Sequence, residues 1–541
     1  RGVACGIPVE GLTAEYPVVT ALCGPIIGKT ADTWTRILLE VSARCTISCE
    51  LWELSSAGAV ASAATLNFEA YRPMAFTMMS LQPNKVYQAS FNVIFPDGSK
   101  APVDMGEDSS LRCTVRTLPE PSSRSFSPTF LVVNRNKLAT LLQLPPGHAR
   151  KRFDLWENVV QRIDTLKPTA ILHVGDQVFF DMDEGAADAS TFDMWRSELS
   201  QLPPASWQHH RAPIRAAIQQ LYRDTWMHPP TRRVLARVPN YSIFGPHEFK
   251  HAWGLDDGDR DPSHVNRFLA QIARECYDLY QVQLYADVHL GAEGTVPQYA
   301  HFHAIGPCAL GFLDVFSART FFFNAYEQLP LLGSVQWALL TKVLLGRSHR
   351  PELEGMVAAQ PQLPDTVRHF ILVSPLPLCV VSPRLVSLGK VPAAEVMDQW
   401  VTAAPEVETK LLLETLELWK NGQPRRTVDF VAGGANLQLA TNVSHLGKVV
   451  LRQICASPIA DKSTIRIQAA FKSSGRILTG ELPIAGWRFA HTRAEDAHNY
   501  GVWEPTSFRW MVVDDSGDRV VRGVDFSGGG TAGSSQCCAV Q

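Results

Sequence analysis

The chain has 541 residues, 45% of them hydrophobic and 19% charged, with a formal net charge of −3. Such a chain buries a large core and is long enough for more than one domain. A charge so close to zero gives no electrostatic case for nucleic acid or an anionic membrane face, and no apolar run is long enough to span a bilayer. The eleven cysteines are scattered without a Cys-x-x-Cys pair, and Arg1 to Cys5 carry no signal-peptide pattern. The expectation is a cytoplasmic protein in which Cys45 and Cys49 are buried thiols rather than a disulfide.

Residues 18–117 read as short strands. Thr35 to Val41, Cys45 to Trp52 and Val86 to Phe95 are rich in β-branched and aromatic residues, with turns such as Pro96-Asp97-Gly98 between them. This spacing predicts a small antiparallel β-sandwich of the fibronectin or immunoglobulin kind, left through the linker Ser122 to Ser127.

The pattern then changes. Phe130 to Val133, Ile171 to Val174, Tyr241 to Phe244, Leu310 to Val315, Thr320 to Phe323, His369 to Val373 and Val428 to Ala432 are apolar runs of strand length. Helices are predicted over Phe153 to Leu166, around Ile214 to Trp226, around Phe268 to Leu284, and over Leu411 to Trp419. Alternation of this kind predicts an α/β domain over 128–515, its sheet covered on both faces. Residues 180–210 read as a polar, irregular insertion. His209 and His210 within it read as solvated, and His301 with His303 as a surface pair. Residues 527–541 form a Gly/Ser-rich tail.

Three apolar runs end in turn residues carrying polar groups: Gly175-Asp176-Gln177, Gly245-Pro246-His247-Glu248 and Gly433-Gly434-Ala435-Asn436. The carboxyl ends of parallel strands are where open α/β sheets bind ligands. In order and spacing these ends resemble the PhoD-like (alkaline phosphatase D) branch of the calcineurin-like metallophosphatases. Further segments share the likeness: Gly24 to Lys29 with Asp32-Thr33, His247-Glu248-Phe249 leading to Trp253-Gly254, Leu313-Asp314 with Ser317 and Arg319, and Asn499-Tyr500-Gly501.

The resemblance implies an N-terminal β-sandwich followed by a four-layer α/β/β/α domain. It also implies two divalent metal ions (Fe, Zn or Ca) that activate water against a phosphoester. Asp176 matches the bridging aspartate, His247 the general acid, and Asn436 a residual metal ligand. Several positions depart from the pattern. Arg135 stands where the first strand would supply a ligand, Phe179 replaces a tyrosine, Gly245 and Pro246 replace acidic residues, and Gly434 and Asn436 replace an aspartate and a histidine. Losing anionic and imidazole ligands while gaining a guanidinium weakens metal affinity steeply. Two readings stay open. One is the inherited hydrolysis. The other is a catalytically inactive binding or scaffold protein whose Arg135, His247 and Asn436 keep a crevice for a phosphoester or another small anion.

The ending Cys538-Ala539-Val540-Gln541 fits a prenylation signal, with glutamine last favouring farnesyl. One farnesyl binds a membrane weakly, so Cys537 is expected to carry a second lipid.

Overall fold

The computed structural model describes residues 18–55, 59–106, 108, 110–123, 125–138, 154–181, 190–251, 253–254, 256–287, 299–317, 319, 330–382, 399–434, 437–460, 479–495, 498–513 and 519–525. Asn436, the strand expected over Thr320 to Phe323, and the tail with Cys537 and Cys538 lie outside these residues.

Two small sheets come first. Ala21–Thr30, Thr35–Val41 and Met74–Met78 make a 3-stranded sheet. Val60–Phe68, Cys45–Glu53, Val86–Ile94 and Lys100–Pro102 make the second, with Thr114–Arg116 paired to Val86–Ile94. Their facing apolar residues, among them Ile37, Leu39, Ile47, Leu51, Phe76 and Phe91, close into one core. Period-two alternation places those side chains inward, which is the β-sandwich the sequence predicts. The cysteines of the described residues are free thiols, and Cys45 is half-buried rather than buried, because it stands at the first position of its strand.

Two larger sheets complete the fold. A 6-stranded sheet runs in the order Asn240–Ser242, Ala170–His173, Phe130–Val133, Asn499–Glu504, Ser507–Val513, Arg519–Asp525. An 8-stranded sheet runs His301–Ile305, Cys308–Phe312, His369–Ser374, Thr427–Ala432, Lys448–Cys455, Gln438–His445, Trp487–Glu495, Thr479–Glu481. They pack face to face through Val132, Leu172, Leu310, Ile371, Val431 and Trp503. Outside the first sheet lies the helix Leu155–Leu166, whose Trp156 and Val159 pack on Leu131 and Ile171. Outside the second lie Gly333–Leu345 and Glu406–Asn421, packed through Trp337, Leu416 and Phe430. Helix, sheet, sheet and helix thus form the layers of the α/β domain. Strands buried on both faces are the continuous apolar runs of the sequence.

Residues 190–210 correct the expectation of an irregular insertion. Thr191–Ser200 is a helix whose Ser190 cap accepts the Asp193 N–H, and Pro204–His210 is 3-10 helical. Its polar face hides the signal, since only Phe192 and Leu199 of this helix are buried.

The sandwich is fastened to the helices by an ion pair between a buried carboxylate and a half-buried guanidinium. Glu40, with 0% of its surface exposed, accepts from Arg223 Nη2 at 2.6 Å and from the Tyr280 hydroxyl at 2.7 Å. Removing one partner of such a pair leaves an uncompensated buried charge. Arg223→Ala, which leaves the buried Glu40 carboxylate without its cation, is expected to destabilise the protein by roughly 3–5 kcal/mol in denaturant unfolding. A loss below about 1 kcal/mol, the range of exposed pairs, would show that the contact is not formed as described.

Candidate functional site

The short parallel strands run in register, with Ala170 beside Phe130 and His173 beside both Val133 and Ser242. Arg135, Asp176 and His247 therefore leave the sheet at one edge. The backbone is unusual here: φ is +103° at Gly175, +57° at Asp176 and +48° at Arg135. Aspartate tolerates the left-handed region, whereas an arginine there costs about 1 kcal/mol or more. The turn is held by the Asn136 N–H donating to the Asp176 carbonyl at 2.8 Å and the Ile459 N–H donating to the Asn134 carbonyl at 2.9 Å.

The side chains then meet. Arg135 Nη1 lies 3.0 Å from His247 Nε2 and 3.9 Å from Asp176 Oδ2. Arginine only donates, so Nε2 is the acceptor, and Nδ1 carries the proton that reaches Asp181 Oδ1 at 2.8 Å. The His247 backbone N–H donates to Asp176 Oδ1 at 3.1 Å. Burial opposes protonation of the imidazole, yet the carboxylates of Asp181 and Asp176 raise its pKa to about 9, with Arg135 opposing them. A ring protonated at Nε2 has no lone pair for Arg135, so the 3.0 Å contact describes the neutral ring, whereas the two carboxylates favour the charged one. The Phe179 ring stacks on His247 at 4.6 Å, with the Arg135 guanidinium 5.2 Å and the Lys137 ammonium 5.1 Å from its centroid. Arg135, Asp176, Asp181 and His247 are buried, while Lys137 and Phe179 are half-buried.

Glu248 clasps the turns together. Its carboxylate accepts the N–H groups of Gln177 at 2.8 Å, Gly245 at 2.9 Å and Asp176 at 3.1 Å, and Gln281 Nε2 at 3.3 Å. Burial and the charge of Asp176 push its pKa up to about 8. The clasp brings the Gly245 backbone against Asp176. A Cβ at position 245 would overlap Asp176 Oδ1 and its backbone nitrogen. Position 434 is constrained too: φ is +74°, and a Cβ there would stand 2.8 Å from the Pro375 carbonyl oxygen.

These contacts bear on whether a metal pair fits. Both ring nitrogens of His247 and both carboxylate oxygens of Asp176 face protein partners. Gly245 and Gly434 have no room for a carboxylate, and Pro246 offers no side-chain donor. Among the described residues no group of three or more His, Cys, Asp or Glu is placed to hold a metal ion. The described donor set does not fit a metal pair. One buried acceptor at this edge, Asn134 Oδ1, has no hydrogen-bond partner.

The structure thus brings Arg135, Asp176 and His247 together. Sequence reasoning missed Asp181, which orients the imidazole from five residues beyond Asp176, and Glu248, whose role is legible only once both turns are in space. Asp314, in contrast, accepts the N–H groups of Phe316 and Ser317 at 3.1 and 2.8 Å and closes its own turn.

His301 and His303 are not a surface pair. His303 Nε2 and His301 Nδ1 are 2.6 Å apart, and His301 Nε2 donates to the Ser242 carbonyl at 3.0 Å. The pair is wedged where the edges of the two large sheets meet, and burial pushes the His301 pKa down to about 3 and that of His303 down as well. His209 is exposed, as expected, whereas His210 is half-buried with its ring edge-on to Trp195.

No family model matches the chain, and no curated protein matches it. Solved structures do. A structure of PhoD aligns with a TM-score of 0.60 at 10% identity, covering 94% of this chain and 90% of that one. A purple acid phosphatase from yellow lupin seeds aligns with a TM-score of 0.50 at 9% identity, covering 93% of this chain and 74% of that one. The chain has a PhoD-like metallophosphatase fold. At these identities the likeness speaks for architecture alone.

The Gly245 contact generates a direct test. Gly245→Ala forces its Cβ onto Asp176 backbone, and backbone cannot swing away as a flexible side chain would. The expected loss is at least about 2 kcal/mol in urea unfolding. A variant as stable as the parent would show that the two turns do not approach so closely.

Proposed function

We propose that this protein binds a small oxyanion of the phosphomonoester class at the Arg135 crevice and does not hydrolyse it through a metal pair. The observation that carries the reading is the guanidinium of Arg135 between Asp176 and His247. Metal-assisted hydrolysis needs cations that bind and activate water. A guanidinium supplies positive charge and a fork of N–H donors shaped for an oxyanion, but it activates no water. Lys137 and Phe179 lie half-buried beside it, with the Lys137 ammonium over the Phe179 ring.

The inherited hydrolysis is the second reading, favoured by the fold's likeness to two phosphatases. Two measurements decide between them. Elemental analysis of the purified protein is expected to find less than one equivalent of tightly bound metal, with no chelator-sensitive turnover of a generic phosphomonoester or diester. Calorimetric titration with inorganic phosphate is expected to show saturable binding that Lys137→Ala weakens about tenfold, the worth of one charge-assisted contact. Stoichiometric metal with chelator-sensitive turnover would establish hydrolysis instead. Absence of phosphate binding would remove the oxyanion site.

A further inference from the structure

Asp176 presents a carboxylate with 2% of its surface exposed, and His247 an imidazole lone pair with 1% exposed. A buried carboxylate needs a counter-charge, and a buried lone pair needs a donor. Both face the same group. We infer that the Arg135 guanidinium is the structural cation of this centre, a covalently attached counter-ion that holds Asp176 and His247 in the absence of any bound metal. This rests on the metal-free reading above and assigns the residue that makes it stable.

Three observations converge on that assignment. The guanidinium contacts both groups, 3.0 Å from His247 Nε2 and 3.9 Å from Asp176 Oδ2. Its backbone sits at φ +48°, a conformation that an arginine adopts only when its surroundings impose it. Here the next residue donates its N–H to the Asp176 carbonyl at 2.8 Å, so main chain and side chain of the same segment both bind the Asp176 turn. Finally, the carboxylates that would attract a metal cannot be restored at positions 245 and 434 without moving backbone. The ligand losses and the gained cation thus form one arrangement: positive charge has passed from a dissociable ion to the chain itself. Such a charge cannot be stripped by a chelator or diluted away.

The test is a double-mutant cycle on the full chain, read by thermal and urea unfolding. Arg135→Gln and Asp176→Asn should each destabilise the protein, whereas the double variant should be more stable than the sum of the single losses requires. The expected coupling is a factor of about ten or more in the unfolding equilibrium. In parallel, Arg135→Ala should lose several degrees in Tm and recover most of them in about 10 mM guanidinium, far below denaturing concentrations. Zinc or manganese should not restore it. If Arg135→Gln does not fold, the cycle runs from Arg135→Met, which removes the charge and keeps the apolar stem.

Additive losses, or a rescue by zinc or manganese and not by guanidinium, would overturn the inference. Metal content of the unaltered protein separates the two levels. Stoichiometric metal there defeats the proposed function, while a metal-free protein with an additive cycle defeats only the role of Arg135.

Discussion

The crevice is organised by one close approach. Glu248 gathers the N–H groups of Asp176, Gln177 and Gly245 onto a single buried carboxylate, and this draws the Gly245 backbone against Asp176 until no side chain fits between them. Each of those N–H groups would be an unsatisfied donor without Glu248, so the clasp is costly to open. The consequences are geometric. The turn after Asn240–Ser242 aims the His247 backbone N–H at Asp176 and its ring between Asp181 and Arg135. Position 245 is thereby lost as a place for a metal-binding side chain.

Charge bears on the same crevice. Two buried carboxylates, Asp176 and Asp181, stand near one imidazole and one guanidinium. Asp181 is taken up in orienting His247 and in accepting the His251 N–H. Asp176 is left to Arg135. A divalent cation placed between Asp176 and His247 would have to displace a guanidinium whose charge never leaves.

The architecture was legible because its strands announce themselves. Runs such as Phe130 to Val133 and His369 to Val373 are apolar throughout, as strands buried on both faces must be. Gly175-Asp176 and Gly245-Pro246-His247 were legible as a site because turn residues at strand ends carry the polar groups. The helix Thr191–Ser200 was not, since a helix that buries only two side chains has almost no apolar stripe. Nor was the burial of His301 and His303. Their alternation marks a strand face, but nothing local says that a second sheet edge, with Ser242 on it, closes over that face. Glu248 and Asp181 needed three-dimensional knowledge of a different kind. A carboxylate that accepts main-chain N–H groups from another loop looks in sequence like any surface acid, and only the register of the parallel strands brings donor and acceptor together.

The β-sandwich takes part in the same construction. Glu40 on its strand Thr35–Val41 accepts from Tyr280, the last residue of the helix Val265–Tyr280. The Tyr280 ring stacks on that of Tyr222 at 4.3 Å, and the next residue, Gln281, donates both to the Tyr222 hydroxyl at 3.1 Å and to Glu248. A run of buried, hydrogen-bonded groups therefore leads from the sandwich through one helix end to the carboxylate that clasps the crevice turns. The donors of this run are paired, although the Gln281 Oε1 acceptor has no partner, and a buried network of this kind favours one arrangement. This gives a physical reason for the sandwich to remain fixed to the α/β domain. Arg223 and Tyr280 would otherwise expose Glu40, and Gln281 would lose the helix end that presents it to Glu248. The sandwich stabilises the crevice from behind, through the clasp, without contributing a side chain to it.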